Sequence, residues 1–419
     1  MSTIFAPITG RGGAVTVLRL SGPQALEITA ALAGGLPAPR RAVLRPLRWR
    51  GRVLDHALVT SFPGPRSFTG EDSAELALHG GRAVFAAVSE ALVALGARPA
   101  EPGEFSRRAF LNGRMDLLEA EAMADLIAAE TEAQRAQAVE GADALQRTCE
   151  SWRESLRQIM AQQEALIDFP DEDLPPEVEA RLVAEIAGLC RAMRESLDAA
   201  PAAERLREGL EFVILGPPNA GKSTLLNALA GEDVAIVSEI SGTTRDAVGV
   251  RVDFGGVPVH LTDTAGLRET DDSIEAEGIR RAKARALRAD LILAVAAPGE
   301  DFVPVPEGAE VLRVRTKADL AGEGVSARTG QGMDELRAEL AAAAARLTDT
   351  KGTATLARPR QIACVRDTAE ALERALAVEE PELRGEELRA AANALARLTG
   401  VIGVEEILDA VFSGFCIGK

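Results

Sequence analysis

Hydrophobic and polar residues alternate in short runs over the first part of the chain. In residues 1–118, alternations such as AVTVLRL at 14–20 are separated by clusters of Gly and Pro. Alternation with a period of two is typical of half-buried strands, whereas residues 83–95 and 106–112 have the spacing of amphipathic helices. The sequence therefore predicts an N-terminal α+β domain over residues 1–118.

The next stretch, residues 119–208, has a helical pattern. It is rich in Ala, Glu, Leu, Arg and Gln, and apolar residues recur at helical spacing, among them Met123, Ile127, Leu145, Leu156, Ile159 and Leu166. Such spacing predicts long helices with one buried face. The consecutive prolines at 175–176 cannot continue a helix, so the first helical run is expected to end before them.

Residues 209–347 return to short apolar runs alternating with helical patterns, which is typical of an α/β domain. Beyond them the helical pattern resumes and predicts helices over 362–376 and 381–398. Because two helical stretches flank a complete α/β module, we expect one discontinuous helical domain, residues 119–208 and 348–419, with the α/β domain inserted into it. The predicted fold class is multidomain α/β and α.

A glycine-rich loop, GPPNAGKS at residues 216–223, lies between an apolar run and a helix-forming stretch. In this context the loop turns its backbone N–H groups around a phosphate chain, and the helix N-terminus adds its positive dipole end. Lys222 is then expected to reach the outer phosphates and Ser223 a magnesium ion. The candidate nucleotide contacts of this loop are Asn219, Ala220, Gly221, Lys222, Ser223 and Thr224.

Two further segments are suited to sensing a γ-phosphate. DTAG at 263–266 follows a strand-like run and places the acidic Asp263 at the end of a neighbouring strand. GTTRD at 242–246 lies between the two motifs, and its Thr244 is expected to close over magnesium. The candidate contacts are Ser238, Glu239, Ile240, Ser241, Gly242, Thr243, Thr244, Asp263, Thr264, Ala265 and Gly266.

A fourth segment, TKAD at 316–319, is suited to reading a base. Asp319 would accept from the amide edge of guanine, Lys317 would flank it, and the backbone of Ser326, Ala327 and Arg328 would lie behind the ring. The four segments together resemble GTPases of the translation-factor-like class, inserted here as a Ras-like P-loop domain. In that class the fourth segment ordinarily begins with Asn. Thr316 has only a hydroxyl there, and losing one net hydrogen bond predicts nucleotide binding weaker by about 1 kcal/mol.

The formal charge of −17 argues against a general nucleic-acid-binding surface. The distribution is uneven, since residues 1–118 carry 14 Arg, no Lys and 9 acidic residues. A structured RNA is therefore expected to favour the N-terminal domain. The alternative, that these arginines are ordinary solvated surface, stays open.

Two compositional features concern the compartment. No run of about 18 apolar residues and no export signal is found, so we expect a cytoplasmic protein with no membrane span. The four cysteines, Cys149, Cys190, Cys364 and Cys416, lie far apart without a Cys-x-x-Cys pair. Reduced thiols are expected, and neither a zinc site nor a disulfide framework is predicted.

Four stretches identify the chain as similar to the MnmE (TrmE) family of tRNA modification GTPases. They are GRGGAVTVLRLSG at 10–22, SFTGEDSAELALHGG at 67–81, PGEFSRRAFLNGRMDLLEAEAMADLI at 102–127 and the terminal FCIGK at 415–419. The resemblance implies an N-terminal domain like that of folate-dependent one-carbon enzymes, which also forms a homodimer. It implies a heterotetramer with a flavin (FAD)-dependent partner, GidA (MnmG), that modifies carbon 5 of the wobble uridine in certain tRNAs.

Cofactors and site residues are implied by the same resemblance. The implied inputs are GTP, Mg²⁺, K⁺, glycine or ammonium, and 5-formyltetrahydrofolate or another one-carbon tetrahydrofolate. The folate contacts map to Arg19, Glu75, Arg114 and Lys419, where cations suit the glutamate tail and a carboxylate suits the pterin ring. Arg114 departs from the family, which commonly has Lys there. Cys416 is a candidate thiol for the modification step.

Hydrolysis needs a group that orients water, and Leu267, which follows the DTAG segment, cannot do this. The acidic segment 269–277 offers nearby carboxylates that could orient water. The resemblance assigns this catalytic role to Glu275. The same resemblance implies a potassium ion where two GTPase domains meet. Its oxygen ligands would come from Asn219, Ser238, Ile240 and Thr243.

Other interpretations remain. A regulatory GTPase switch, for example in ribosome assembly, would carry the same nucleotide segments without folate chemistry. The N-terminal domain could also be a dimerisation module alone, which is compatible with either activity.

Overall fold

The protein, as a computed structural model, is described over residues 1–10, 13–168, 176–231, 249–263, 285–350, 352, 356–400, 408, 411–412, 415 and 418. The chain folds as two compact units. The first contains Met1–Ala124 and Ala396–Lys419, and the second contains Asp125–Leu395.

The first unit is built on a six-stranded sheet. Its strands are β1 (Ile4–Pro7), β2 (Val15–Ser21), β3 (Val43–Trp49), β4 (Arg52–Phe62), β5 (Ser73–His79) and β6 (Arg98–Pro99). They lie in the order β3-β4-β5-β2-β1-β6, and every neighbouring pair is antiparallel except β1 with β6. β3 is therefore an edge strand.

Helices α1 (Ala25–Ala33) and α2 (Arg82–Ala94) pack against this sheet. Two further helices, α3 (Glu104–Leu111) and α4 (Leu117–Ala128), follow later in the chain. Alternate strand residues such as Leu76 and Leu78 are buried together with Leu32 and Leu92 of the helices. Period-two alternation thus marks the core face, as the sequence predicted. The α+β prediction is confirmed, and the two predicted helices correspond to α2 and α3.

The C-terminal residues that the structure describes belong to the first unit. Phe415 is only 8% exposed and packs with Leu117, Leu408 and Phe412. The rings of Phe412 and Phe415 lie 5.3 Å apart in an edge arrangement. The chain is therefore anchored at Phe415 and does not fray there.

The second unit combines helices with a second sheet. In chain order its elements are α5 (Glu132–Ala136), a π-helical turn (Gln137–Gly141), α6 (Ala142–Asp168), α7 (Pro176–Glu208), β7 (Leu210–Leu215), α8 (Lys222–Ala230), β8 (Gly249–Phe254), β9 (Val257–Asp263), β10 (Leu291–Ala296), β11 (Val311–Arg315), α9 (Ala318–Ala321), α10 (Met333–Leu347), α11 (Pro359–Ala377) and α12 (Pro381–Thr399).

Helices from before and after the second sheet pack together. α11 lies along α7, where Arg194 donates to both carboxylate oxygens of Glu373 at 2.8 and 2.7 Å. Gln163 of α6 donates from Nε2 to the carbonyl of Pro381 at 2.9 Å. These contacts join residues far apart in sequence, as expected of a helical domain interrupted by an insertion. The predicted fold class is confirmed.

The predicted helical core is partly correct. Leu145, Leu156 and Ile159 are buried, whereas Ile127 is 45% exposed. Within the described residues, Cys149, Cys190 and Cys364 are buried and form no disulfide, as expected of reduced thiols. Cys416 lies outside the described residues. Among the helices of the described part of the chain, none has the length and apolar character needed to cross a membrane.

The second sheet has the order β11-β10-β7-β9-β8, with β8 antiparallel and the other strands parallel. Helices α8 and α10 pack against one face of this sheet, where their Leu225 and Leu340 are buried with strand residues such as Phe212 and Leu293. Because the parallel strands share one direction, the loops that follow β7, β9, β10 and β11 meet at one edge. All nucleotide-site candidates of the described residues lie there.

Candidate nucleotide site

The loop between β7 and α8 runs close to the neighbouring strand. A Cβ on Gly216 would lie 2.3 Å from the carbonyl oxygen of Val295, so only glycine fits. Asn219 and Gly221 both have left-handed backbone, with φ of 62° and 88°. This path curls the loop over the N-terminus of α8, where backbone N–H groups without helical partners are available to an anion.

Lys222 begins α8 and is only 7% exposed. Its Nζ donates to the carbonyls of Gly216 and Pro217 at 2.9 and 2.8 Å. The ammonium group is thus held inside the curl of the loop by neutral acceptors. A phosphate oxygen in this loop would supply a charged acceptor for the same group.

Ser223 and Asp263 bring two of the predicted segments together. Ser223 Oγ donates to Asp263 Oδ2 at 2.5 Å, and Asp263 is 2% exposed at the end of β9. Strand pairing places Asp263 opposite Ile214, immediately before the loop. A hydroxyl and a carboxylate in contact beside a phosphate loop form an oxygen donor set suited to Mg²⁺.

The base-reading segment is assembled by side-chain and backbone contacts. Ser326 Oγ donates to Asp319 Oδ1 at 2.9 Å, and Ser326 is 1% exposed while Asp319 is exposed. Gly324 is held close to β11, because a Cβ there would lie 2.3 Å from the carbonyl of Arg315. The buried serine therefore orients one carboxylate oxygen and leaves the acidic group facing outward. Ala327 is half-buried and Arg328 exposed.

Thr316 makes contacts that its motif did not predict. It is 4% exposed, and its Oγ1 donates to the carbonyl of Ala220 at 2.6 Å, with that of Ala296 3.3 Å away. The hydroxyl therefore links the base-reading segment to the phosphate loop. Neighbouring Lys317 is half-buried with left-handed backbone at φ 56°. Thr316 was predicted as a site residue, but its contact with Ala220 was not predicted, because no sequence pattern relates two residues so far apart in the chain.

Several predicted site residues lie outside the described residues. These are Ser238, Glu239, Ile240, Ser241, Gly242, Thr243, Thr244, Thr264, Ala265, Gly266, Glu275, Cys416 and Lys419. Their assigned roles stay predictions.

Two of the folate candidates meet in the first unit. Arg19 and Glu75 are cross-strand partners on β2 and β5, and their side chains form an ion pair at 2.8 Å. The Arg19 guanidinium also lies 4.7 Å from the ring centre of Phe68. The pair is part-exposed, at 18% and 27%, so both groups remain reachable by a ligand.

The other two folate candidates are Arg114, which the structure describes, and Lys419, for which only the preceding residue is described. Arg114 is exposed and its stem packs over Gly70, where a Cβ would lie 3.1 Å from Arg114 Cγ. Gly418, the residue before Lys419, lies against β1, because a Cβ on it would be 2.0 Å from the carbonyl of Pro7. Strand pairing places Ala6, the residue before Pro7, opposite Arg19. Gly418 therefore lies beside β1, the strand that pairs with the strand of Arg19.

A buried ion-pair network near this region was not foreseen. Arg108, 5% exposed, donates to Glu71 at 3.0 Å and to Glu104 at 2.8 Å, and Arg98 donates to Glu104 at 2.6 Å. Burial raises the pKa of Glu104, but hydrogen bonds from Arg98, the Glu101 backbone and Arg108 outweigh burial and lower it. The network fixes the segment before β5 to α3. Sequence spacing contains no signal for it.

A second unforeseen contact joins the α/β sheet to the helical part of the second unit. Arg251 of β8 pairs with Glu130 at 2.5 Å and contacts His260 Nε2 on β9. Burial lowers the pKa of His260, and the charge of Arg251 lowers it further. A neutral His260 therefore accepts from Arg251, three residues before the site residue Asp263.

Comparison with known proteins agrees with this geometry. Residues 3–114 match the profile described as GTP-binding protein TrmE N-terminus, and residues 117–416 match the MnmE helical domain. The tRNA modification GTPase MnmE of Acidiphilium cryptum is 61% identical over 99% of this chain and 98% of that protein. Its counterpart in Gluconacetobacter diazotrophicus is 55% identical over 99% and 98%.

The similarity of this chain to solved structures is weaker than its similarity to these sequence relatives. Aquifex aeolicus Era bound to GDP and AlF4⁻ is 25% identical over 41% of this chain and 68% of that chain, with a TM-score of 0.27. The identification therefore rests on the sequence relatives and the family profiles. With two profiles that together span residues 3–416 and relatives of more than half identity along the whole length, the chain belongs to the MnmE (TrmE) family of tRNA modification GTPases.

Proposed function

We propose that this chain hydrolyses GTP to drive modification of carbon 5 of the wobble uridine in certain tRNAs. With a flavin-dependent partner it would add a carboxymethylaminomethyl or aminomethyl group, using a one-carbon tetrahydrofolate. The observation that carries the nucleotide half of this proposal is the Ser326 to Asp319 hydrogen bond of 2.9 Å. It orients an exposed carboxylate at the same sheet edge as the phosphate loop, as guanine recognition requires.

The phosphate end of the nucleotide would be held by the loop and its two neighbours. Lys222 would exchange its two carbonyl acceptors for phosphate oxygens, and the N–H groups of residues 219–224 would surround the chain. Ser223, with Thr244, would hold magnesium, and Asp263 would lie in its outer shell. Magnesium, when bound, would neutralise charge on the outer phosphates.

Hydrolysis would depend on residues assigned by family resemblance. Glu275 would orient the attacking water, since Leu267 has no polar group to do so. Asn219 would contribute its amide oxygen to a potassium site together with Ser238, Ile240 and Thr243. The exposed position of Asn219 at the tip of the loop is compatible with a site shared between two GTPase domains.

The one-carbon folate would bind in the first unit. Arg19 and Glu75 already form one charged pair, and a folate offers a carboxylate and a pterin ring to compete for the two partners. Arg114 and Lys419 would add cations, and Cys416 would act as a thiol in the modification step. The approach of Gly418 to Pro7 supports a terminal tail that reaches this region.

The assembly would be a homodimer, formed through the N-terminal domain, that joins GidA (MnmG) in a heterotetramer acting on tRNA in the cytoplasm. We also propose the domain limits 1–118, 119–208 with 348–419, and 209–347. The anchored Phe415 supports assigning the terminal tail a defined position in the folded protein.

A nucleoside profile of tRNA tests the function. Cells that lack the chain should lose the modified wobble uridine, and the wild-type gene should restore it. A Lys222→Ala gene should not restore it, because the phosphate loop loses its cation. Unchanged wobble uridines in the deletion strain would instead favour a regulatory GTPase switch without folate chemistry.

A further inference from the structure

Six arginines line one edge of the first unit's sheet. Arg40, Arg41, Arg45, Arg48, Arg50 and Arg52, here called the arginine edge, fall within 13 consecutive residues that contain no acidic residue. Five are exposed and Arg45 is half-buried. Arg40 and Arg41 precede the edge strand β3, Arg45 and Arg48 lie on it, Arg50 lies in the turn after it and Arg52 begins β4. Within the described residues, one side of β3 has no neighbour in the sheet.

None of the six forms an ion pair within the part of the chain that the structure describes. Arg40 instead donates to the carbonyl of Arg66, and the Nε of Arg45 is buried without a hydrogen-bond partner. In contrast, Arg19, Arg98 and Arg108 of the same unit are all paired with carboxylates. The arginine edge is therefore a concentration of positive charge that nothing described within the unit neutralises.

The tip of the β3–β4 hairpin presents three of these charges beside an aromatic ring. Trp49 and Arg52 are paired across a two-residue turn in which Arg50 and Gly51 have φ of 48° and 78°. Such turns favour Asn or Gly at the first position, so turn geometry does not explain an arginine there. The Arg50 guanidinium lies 5.6 Å from the ring centre of the half-buried Trp49.

Edge strands are often charged to prevent sheet-to-sheet pairing. That purpose does not require a single sign of charge, and it does not require charge on the turn beyond the strand. Arginine forks bind phosphates in bidentate geometry, and aromatic or guanidinium planes stack on unpaired bases. Strand β3, Val43–Trp49, extends for about 20 Å at the rise of an extended strand, long enough to follow several phosphates of a nucleic-acid backbone.

We propose that the arginine edge is an RNA-binding surface and that its ligand is the phosphate backbone of the substrate tRNA. The identity of the RNA rests on the proposed function, whereas the surface itself rests on charge and geometry. The remainder of the chain is strongly acidic, so RNA would be repelled elsewhere and directed to this edge.

The test is the binding of purified, unmodified tRNA to the full-length chain, measured by fluorescence anisotropy at about 50 to 200 mM salt. The variant Arg48→Gln/Arg50→Gln/Arg52→Gln should bind at least about ten-fold more weakly. The slope of log affinity against log salt should become shallower by about 2 to 3, since three phosphate contacts are lost. Replacing the same three residues with Lys should restore most of the affinity and the slope, because the charges return.

The matched control is Arg147→Gln/Arg153→Gln/Arg191→Gln, which removes three exposed arginines from α6 and α7. It changes net charge equally and should leave affinity within about two-fold. Equal losses in both triple variants, or wild-type affinity and slope in the hairpin variant, would overturn the proposal. Binding of the wild type to anionic lipid vesicles but not to tRNA would overturn it as well.

Failure of this proposal and failure of the proposed function give different results. If deleting the gene leaves wobble uridines unchanged while tRNA still binds through the arginine edge, the function is wrong and the RNA surface stands. If wobble uridines are lost on deletion while the hairpin variant binds tRNA normally, the RNA surface is wrong and the function stands.

Discussion

Thr316 Oγ1 donates a 2.6 Å hydrogen bond to the carbonyl of Ala220, which joins the base-reading segment to the phosphate loop. Both residues are buried, and the carbonyl of Ala296, the other acceptor near the Thr316 hydroxyl, lies farther away at 3.3 Å. Thr316, which was expected to weaken nucleotide binding, therefore also holds the phosphate loop in place.

Replacing Thr316 with Val should therefore weaken GDP and GTP binding. Val keeps the shape but leaves the Ala220 carbonyl without this donor, a loss of about 1 kcal/mol or roughly five-fold in affinity. Thr316→Ser should bind nearly as the wild type does. Thr348→Val removes a hydroxyl that donates within α10 and serves as the control. Fluorescent-nucleotide titration measures this, and equal affinity in Thr316→Val and wild type would refute the role of the contact.

Glu275→Ala should lower GTP turnover by two or more orders of magnitude while GTP binding stays within a few-fold. The reason is that Leu267 cannot position water, so the loss falls on the chemical step. Glu277→Ala, in the same acidic segment, is the control and should retain most activity. Single-turnover hydrolysis at saturating potassium measures the step. Comparable rates for Glu275→Ala and wild type would remove Glu275 from the mechanism.

Potassium should stimulate hydrolysis relative to sodium at equal ionic strength, and it should promote association of the GTPase domains. Asn219→Gly should abolish the difference between the salts, because it removes the amide oxygen. Glycine also tolerates the left-handed backbone at φ 62°, so the loop is not strained by the change. Rates and sedimentation profiles in the two salts measure both effects. Identical results in potassium and sodium for the wild type would exclude the cation site.

Gly418→Ala should weaken folate binding and reduce tRNA modification while leaving basal GTP hydrolysis intact. A methyl group there would lie 2.0 Å from the Pro7 carbonyl, at a φ of 101°, so the tail must move away from β1. Gly34→Ala also places a side chain at a positive φ, 67°, but meets nothing within 4 Å, and it is the control for steric contact. Folate titration measures the effect. If Gly418→Ala and Gly34→Ala bind folate equally, the tail does not contribute to the site.

Local patterns were sufficient to predict much of the fold. Alternation of apolar residues at 14–20 predicted a strand that is β2, whose Leu18 and Leu20 are buried, and helical spacing located α11 and α12 to within a few residues. The loop at 216–223 could be placed because strand, loop and helix are contiguous in sequence. In each case the residues of one short segment are sufficient to predict the structure of that segment.

Contacts between distant segments could not be predicted. The Thr316 hydroxyl meets Ala220, and Arg251 meets Glu130, only because sheet and helix packing brings them together. Ile127 fits a helical apolar pattern yet is exposed, since spacing gives the face of a helix but not what covers it. Family resemblance assigned Arg19 and Glu75 separately to the folate site, and the strand register explains why the two residues meet.

Transfer of a labelled carbon in a reconstituted reaction tests most directly whether the chain uses GTP and a one-carbon folate to modify the wobble uridine. Unmodified tRNA, the flavin-dependent partner, glycine or ammonium, GTP and potassium are combined with this chain and a folate labelled in its one-carbon group. Label is expected in the substituent at carbon 5 of the wobble uridine, with none when GTP is omitted or when Lys222→Ala replaces the wild type. Modified uridine without label, or labelled uridine formed equally well without GTP, would contradict it.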